Sequence, residues 1–310
     1  MSVVVSALAP IFLVILAGVL FRRTLIPEDA HWIGLERLTY YVLFPALLIE
    51  TLAKARLGAT VGLAGLVLFL TVLIGGAILV AARQPLSRLC NLDGPAFTSL
   101  FQAATRWNTL VALSLAGTLL GEVGVTVVAV AAIAMIPPLN VMSVAVLARY
   151  AGARTDWRGM VEPLATNPFI WSVVIGILIN LSGLTLPEVI MSFANILGRA
   201  ALGAGLLLVG AGLRLETLVR PHRATWLSAF WKLVLVPALA AVLSVIAGVG
   251  GGALLATLIC AGVPTAPNGY VLARQMGGDA PLLAQMITLH TVLAVFTLPL
   301  VIALAEALGR

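Results

Sequence analysis

Charge is what this sequence has least of. Only 10% of its 310 residues are Asp, Glu, Lys or Arg, where a soluble domain carries about 25%. Cysteine is nearly absent: Cys90 and Cys260 stand far apart and form neither a CxxC pair nor a disulfide framework. The three histidines, His31, His222 and His290, are widely separated, and no HExxH, GxSxG or P-loop motif occurs. These absences argue against metal, nucleophilic and ATP-driven chemistry, so no metal or cofactor is expected. A basic region ahead of the first apolar stretch is missing too. Arg22 and Arg23 follow that stretch, which reads as an uncleaved first span and not as a signal peptide.

Apolar surface takes the place of charge. Apolar residues make up 61% of the chain, and the mean hydropathy is +1.13. A single water-facing fold cannot bury that much, so the fold class is an all-α integral membrane protein. At about 20 residues per crossing there is room for roughly ten transmembrane helices. Apolar runs place them at 3–21, 38–53, 59–82, 95–120, 123–148, 164–182, 187–212, 224–247, 250–273 and 281–306. The net charge of +6 does not indicate nucleic acid, because the basic residues lie singly between apolar runs with no cluster to grip phosphates. It is better explained by loop orientation. With ten crossings, one side receives twelve Lys or Arg residues and the other three, Lys54, Arg56 and Arg310. That imbalance predicts a multi-pass protein of the cytoplasmic (inner) membrane with both termini non-cytoplasmic.

The two halves echo each other. Pro10 precedes Gly18 by eight residues in the first span, and Pro168 precedes Gly176 by eight in the sixth, an offset of 158. Asn108 and Asn268 in the fourth and ninth spans are 160 apart, and Pro138 and Pro299 in the fifth and tenth are 161 apart. The pattern predicts two five-helix repeats, 1–150 and 163–310, joined by a short cytoplasmic linker at 151–162. Five is odd, so the second copy enters the membrane inverted. Secondary transporters are commonly built this way, with the binding site at Gly/Pro-interrupted helices in equivalent positions.

The ninth span carries such an interruption. In Gly262-Val263-Pro264-Thr265-Ala266-Pro267-Asn268-Gly269, two prolines three residues apart cannot continue a helix. The fourth span has no proline, but Gln102, Thr105, Arg106, Trp107, Asn108 and Thr109 fall in the middle of its apolar stretch. Polar groups at that depth need a partner or a cavity. If both spans break and cross, two helix N-termini converge and make a site for a carboxylate. Neutral donors would come from Asn108, Thr109, Thr265 and Asn268 beside Pro264, and Arg106 would add a charge and a bidentate fork. A cation site would call for aspartates at the crossing. The acids nearest membrane depth, Glu50 and Glu306, lie near helix ends, so an anion fits better.

These residues carry a resemblance. Arg106-Trp107-Asn108-Thr109, Leu120-Gly121-Glu122-Val123-Gly124, the stretch Pro264–Arg274, Gly277-Gly278-Asp279-Ala280, Asn167-Pro168 and Phe44-Pro45-Ala46 resemble the auxin efflux carrier family of transporters, in particular its bacterial members. The resemblance implies ten helices in two inverted repeats, broken and crossing fourth and ninth helices, and a scaffold bundle and a transport bundle that move against each other. Substrates in the family are organic acids: indole-3-acetate in the plant PIN-type carriers, and malate or malonate in some bacterial members. The family's carboxylate-binding asparagines map onto Asn108 and onto Asn268. Two features depart from the family pattern. Many members have a Gly-Asn pair and a proline in the fourth span, and the long loop of the plant carriers shrinks here to roughly fifteen residues around 149–162.

Other polar residues have competing readings. Asn140, after Pro137-Pro138, lines the cavity or marks a kink. His290 in the tenth span relays protons, contacts substrate, or is simply hydrogen-bonded inside the bundle. Lys232 lies near the end of the eighth span and reads as a lysine snorkelling to the interface. Asn180, Asn195 and Gln285 read as interhelical glue. Trp107 and Tyr270 flank the proposed site, and Arg199 reads as paired with a cavity group or a lipid headgroup. Altogether the sequence predicts a carrier for a small organic anion working by alternating access, with an anion channel or an integral membrane enzyme as alternatives. The expected partners are that anion and membrane lipid, with no nucleic acid, and a homodimer is compatible with the sequence.

Overall fold

The computed structural model describes residues 2–55, 58–152 and 166–309. The linker expected at 151–162 lies outside the described residues except for Ala151 and Gly152, as does Arg56. All regular structure among the described residues is helical. The helices are α1 (Ser2–Arg23), α2 (Asp29–Lys54), α3 (Ala59–Ala81), α4 (Arg83–Cys90), α5 (Gly94–Thr105), α6 (Thr109–Leu120), α7 (Glu122–Tyr150), α8 (Pro168–Ser182), α9 (Glu188–Ala211), α10 (Arg223–Ile246), α11 (Gly251–Gly262), α12 (Asn268–Gln275) and α13 (Ala280–Leu308). Six of them, α2, α3, α7, α9, α10 and α13, are long and apolar enough to cross a membrane. Large apolar side chains such as Leu181, Val189 and Ile246 stand on the outer surface. In water they would be a liability, whereas lipid solvates them at no cost. This is a multi-pass membrane protein.

Proline shapes several elements. In α2 and α10 the helix widens to a π-turn, at Thr39–Leu43 and Trp231–Leu235. Each π-turn runs into a proline, Pro45 or Pro237, whose missing N–H loosens the ladder one turn back. The turn in α2 joins the apolar run to the charged segment before it. The second helix therefore begins at Asp29 and not at 38 as expected. Prolines inside α7 (Pro137, Pro138) and α13 (Pro299) leave those helices continuous, each 29 residues long. α4 was not foreseen; it is short, charged and amphipathic.

The helices pack as two bundles. In one, α1 lies against α9, and α8 and α9 against α2. The other gathers α3, α5, α6, α7, α10, α11 and α13. Small residues set the close approaches of the first bundle, as expected where lipid removes the hydrophobic drive between helices. A Cβ added to Gly210 would fall 1.9 Å from Ile15 O, and one on Gly18 would fall 2.2 Å from Leu207 O. Gly176 stands 2.8 Å, by the same measure, from Leu52 Cβ. Asn180 holds α8 to the end of α2 through its amide, which donates to Leu52 O, Ala53 O and Ala55 O at 3.0, 3.1 and 2.8 Å. Here the glue reading holds.

A methyl group at Gly18 or Gly210 must push two backbones apart. Gly18→Ala and Gly210→Ala should each cost about 1–3 kcal/mol, in line with overpacking, and lower the melting temperature of the detergent-solubilised protein. Gly62→Ala, inside α3 where nothing lies within 4 Å, should melt at or slightly above the wild type. Equal melting of all three would contradict the packing of α1 on α9.

Candidate functional site

Both expected interruptions are present. α5 ends at Thr105 and α6 starts at Thr109, with Arg106-Trp107-Asn108 between them; α11 ends at Gly262 and α12 starts at Asn268. The first break needs no proline because Asn108 supplies one half of it. Its Oδ1 accepts from the N–H groups of Leu110 (3.1 Å) and Val111 (3.2 Å), an N-cap that starts a new helix. Arg106 and Asn108 are extended, with ψ of 152° and 97°. At the second break Pro264 and Pro267 cannot donate, and α12 opens on Pro267 with no side-chain cap. The N–H groups of Asn268 and Gly269 are then free by position.

Breaking a helix in an apolar interior orphans its last carbonyls. Arg106 N still reaches Gln102 O, and Val263 N reaches Ile259 O, at 2.9 and 3.0 Å. The next acceptors use side chains. Thr265 Oγ1 donates to Ala103 O, which ties the second break to the first. Lys232 Nζ donates to Ala261 O at 2.7 Å. Lys232 is 0% exposed, so the snorkelling reading is corrected: the side chain turns inward to the end of α11.

A cavity of about 710 Å³ opens between the breaks. Its deep wall is Arg106 to Leu110 on one side and Ala266 to Asn268 on the other; Ile136, Leu139 and Asn140 of α7 complete that bundle's share. The other bundle contributes Arg22, Arg23, the first turns of α2, Asn167, Phe169 and the end of α9. Arg106 is 6% exposed and Asn108 1%. Among the described residues, the side chain of Arg106 makes one hydrogen bond, from Nε to Gln102 Oε1 at 3.2 Å. Two amide nitrogens nearby, Asn108 Nδ2 and Gln102 Nε2, are buried with no acceptor among the described residues. The acids lining the cavity, Asp29, Glu36 and Glu216, belong to the first turns of α2 and the segment after α9, and Asp29 is paired with Arg22. Arg106 is the charged residue at the deep wall.

The expected site residues divide. Arg106, Asn108, Thr109, Asn140 and Asn268 line the cavity. Pro264 and Thr265 are buried away from it, because the hydroxyl of Thr265 is spent on Ala103 O. His290 does not line it either. Its Nδ1 lies 2.9 Å from Thr265 Oγ1 and its Nε2 3.0 Å from Ser228 Oγ, inside the bundle. Trp107 lines the cavity, whereas Tyr270 does not; the Arg214 guanidinium lies 5.7 Å from its ring centre. Gln285 is glue: Oε1 accepts from His222 N (2.8 Å) and Thr225 Oγ1 (2.7 Å). Asn195 and Arg199 line a smaller pocket, with Glu50, Lys54 and Glu188, at the other end of the first bundle. Sequence reasoning missed Asn167, an N-cap whose Oδ1 accepts from Phe169 N at 2.9 Å, and Gln102 as the residue that orients Arg106. The Asn-Pro pair at the start of α8 was the available signal for the first.

A polar, arginine-bearing cavity at two helix breaks is the arrangement expected of a membrane transporter. Comparison with family models agrees: residues 160–302 match the family described as membrane transport protein. No curated protein matches the chain.

The capping and donor roles of Asn108 can be separated. Asn108→Ala removes the N-cap and should destabilise the protein by about 1 kcal/mol. Asn108→Ser keeps a capping oxygen and should melt within about 0.5 kcal/mol of the wild type. Thermal melting of the purified variants checks this; equal losses for both would mean that Asn108 is held by something other than the cap.

Proposed function

We propose that this transporter is a secondary carrier of a small organic anion, and that it binds a carboxylate of its substrate at the cavity between the two helix breaks. One observation carries the reading: a buried guanidinium and a buried amide donor, Arg106 and Asn108 Nδ2, stand at the deep wall of the cavity without an acid to satisfy them. A buried cation and an unpaired donor are costly alone. A carboxylate satisfies both at once, and Arg offers it two parallel bonds. Thr109, Asn140, Asn268 and the open N–H groups at the start of α12 surround the same space and add neutral donors.

The chain crosses the cytoplasmic membrane ten times as two inverted five-helix repeats, 1–150 and 163–310. The match of α1 on α9 with α8 on α2 supports this. These are equivalent pairs under such a repeat, and each is closed at the matching glycine, Gly18 or Gly176. Each half also has its interruption in the fourth helix and a proline inside its 29-residue last helix. The loop charges put Arg22, Arg23 and Arg214 on the cytoplasmic side, so the cavity they line faces the cytoplasm and both termini lie outside. Alternating access then consists of one bundle moving against the other, which closes this mouth and opens the opposite one.

Counterflow in proteoliposomes tests the reading, with malate, malonate and indole-3-acetate as probes. At least one anion should show uptake accelerated by the same anion inside. Arg106→Ala and Asn108→Ser should slow that exchange about tenfold or more, the loss expected for one charge-assisted contact. Arg106→Lys should fall between Arg106→Ala and the wild type, since it keeps the charge and loses the fork. Uptake without acceleration from the far side would indicate a channel, and wild-type exchange by both variants would remove the site.

A further inference from the structure

The carrier reading leaves one buried charge unused. Lys232 sits on the π-turn of α10, fully enclosed, and its ammonium makes a single hydrogen bond among the described residues, to Ala261 O at 2.7 Å. An ammonium has three donors and a full charge, and here it meets one neutral carbonyl. The π-turn packs against α5, α11 and α13. α5 has no titratable side chain, and Arg106, just after it, turns to the cavity. The titratable groups that face Lys232 are Cys260 on α11 and His290 on α13. The remaining acid of α13, Glu306, is exposed about four turns further along. Among the described residues no carboxylate compensates the ammonium.

His290 is in no position to share the charge. Thr265 has one hydroxyl hydrogen, and Ala103 O holds it. Thr265 Oγ1 must therefore accept from His290, which puts a ring proton on Nδ1; Ser228 has one hydroxyl hydrogen and two acceptors in reach, Thr225 O at 2.9 Å and His290 Nε2 at 3.0 Å. With Ser228 donating to Nε2 the ring is neutral, and a second proton on it would create a cation beside Lys232. The lysine is the group whose charge can change. It can do so without breaking the structure, because a neutral amine still has an N–H to donate to Ala261 O, in a weaker bond than the ammonium makes. The break at the end of α11 stays closed in either state.

We propose that Lys232 is the proton-coupling site of this carrier, which makes it an anion–proton symporter. With the anion bound between the breaks, opposite charges in a low-dielectric interior stabilise each other and Lys232 keeps its proton. When the anion leaves, the ammonium is uncompensated and its N–H bond releases H⁺ to water on the same side. The amine then recovers a proton from water when the next anion binds. One proton accompanies each anion, and no other bond changes.

This rests on the carrier reading, and the test keeps the two apart. Proteoliposomes are assayed with whichever of malate, malonate or indole-3-acetate the wild type exchanges. Counterflow at equal pH reports the carrier alone; accumulation under an acid-outside gradient reports the coupling. Wild type should accumulate the anion about tenfold per pH unit if the cycle is electroneutral. Lys232→Arg, which keeps the charge but cannot release a proton, and Lys232→Gln, which holds none, should still exchange and should lose the accumulation. Variants that accumulate like the wild type would overturn the proposal, as would a wild type that exchanges but ignores the gradient. Loss of exchange in both variants would also overturn it, by making Lys232 a structural prop only. A wild type that exchanges none of the probes would instead count against the carrier reading.

Discussion

Everything at the centre of this protein follows from the cost of an unpaired carbonyl in an apolar interior. A continuous helix meets that cost internally, and a broken one must find outside donors for its last turn. The chain breaks two helices at its centre and satisfies each with a different chemistry. Ala103 O takes the hydroxyl of Thr265, a neutral donor brought by the other break. Ala261 O takes the ammonium of Lys232, a charged donor brought by a separate helix. The first bond locks the two breaks to each other. The second puts a cation where the backbone is negative, at the C-terminal end of α11, a placement the helix dipole favours.

The N-terminal sides of the breaks differ as well. Asn108 folds its own oxygen back onto the start of α6, so the N–H groups of Leu110 and Val111 are occupied before any ligand arrives. What this break offers is side chain: Nδ2 of Asn108 and the guanidinium of Arg106, held by Gln102. The start of α12 has no such cap, and what it offers is backbone. The two halves therefore bring unequal tools to one cavity. The departures of the fourth helix from the pattern of the family it resembles, no proline and Arg106-Trp107-Asn108-Thr109 where many members have a Gly-Asn pair, fall on the side that uses side chains.

Much of this was legible in the residues, and the misses have a common cause. The Pro264–Pro267 break follows from missing donors alone, and the first break from a run of polar groups too deep to reach water. Both depend on local chemistry that a linear sequence displays. Which way a side chain turns is decided by a neighbour distant in the chain. Lys232 is close enough to a span end to snorkel, and nothing along α10 shows that the free carbonyl of Ala261 lies beside it. Thr265 and Asn108 look equally suited to hold a ligand. Only the fold shows that the hydroxyl is spent on Ala103 O and the amide half spent on a cap. The charged start of α2 was cut off for a related reason: its polarity argued against a span, whereas the π-turn before Pro45 carries the helix straight through.

The division into bundles gives these local facts a mechanical meaning. Both breaks, Lys232, His290 and Thr265 lie in one bundle, while Arg22, Arg23 and Asn167 belong to the other, across the cavity. Few polar bonds cross that seam; Ser114 Oγ to Leu202 O, at 3.1 Å, is one. An anion held by Arg106 and Asn108 thus belongs to the same body as the lysine, and a movement of that body carries both charges together without changing the distance between them. The opposite bundle is closed on itself at Gly18, Gly176 and Gly210 and brings Arg22 and Arg23 to the other side of the cavity. On the proposed reading such a carrier would need no long-range signal between substrate and proton, because their coupling would be the Coulomb term between two groups held in one bundle.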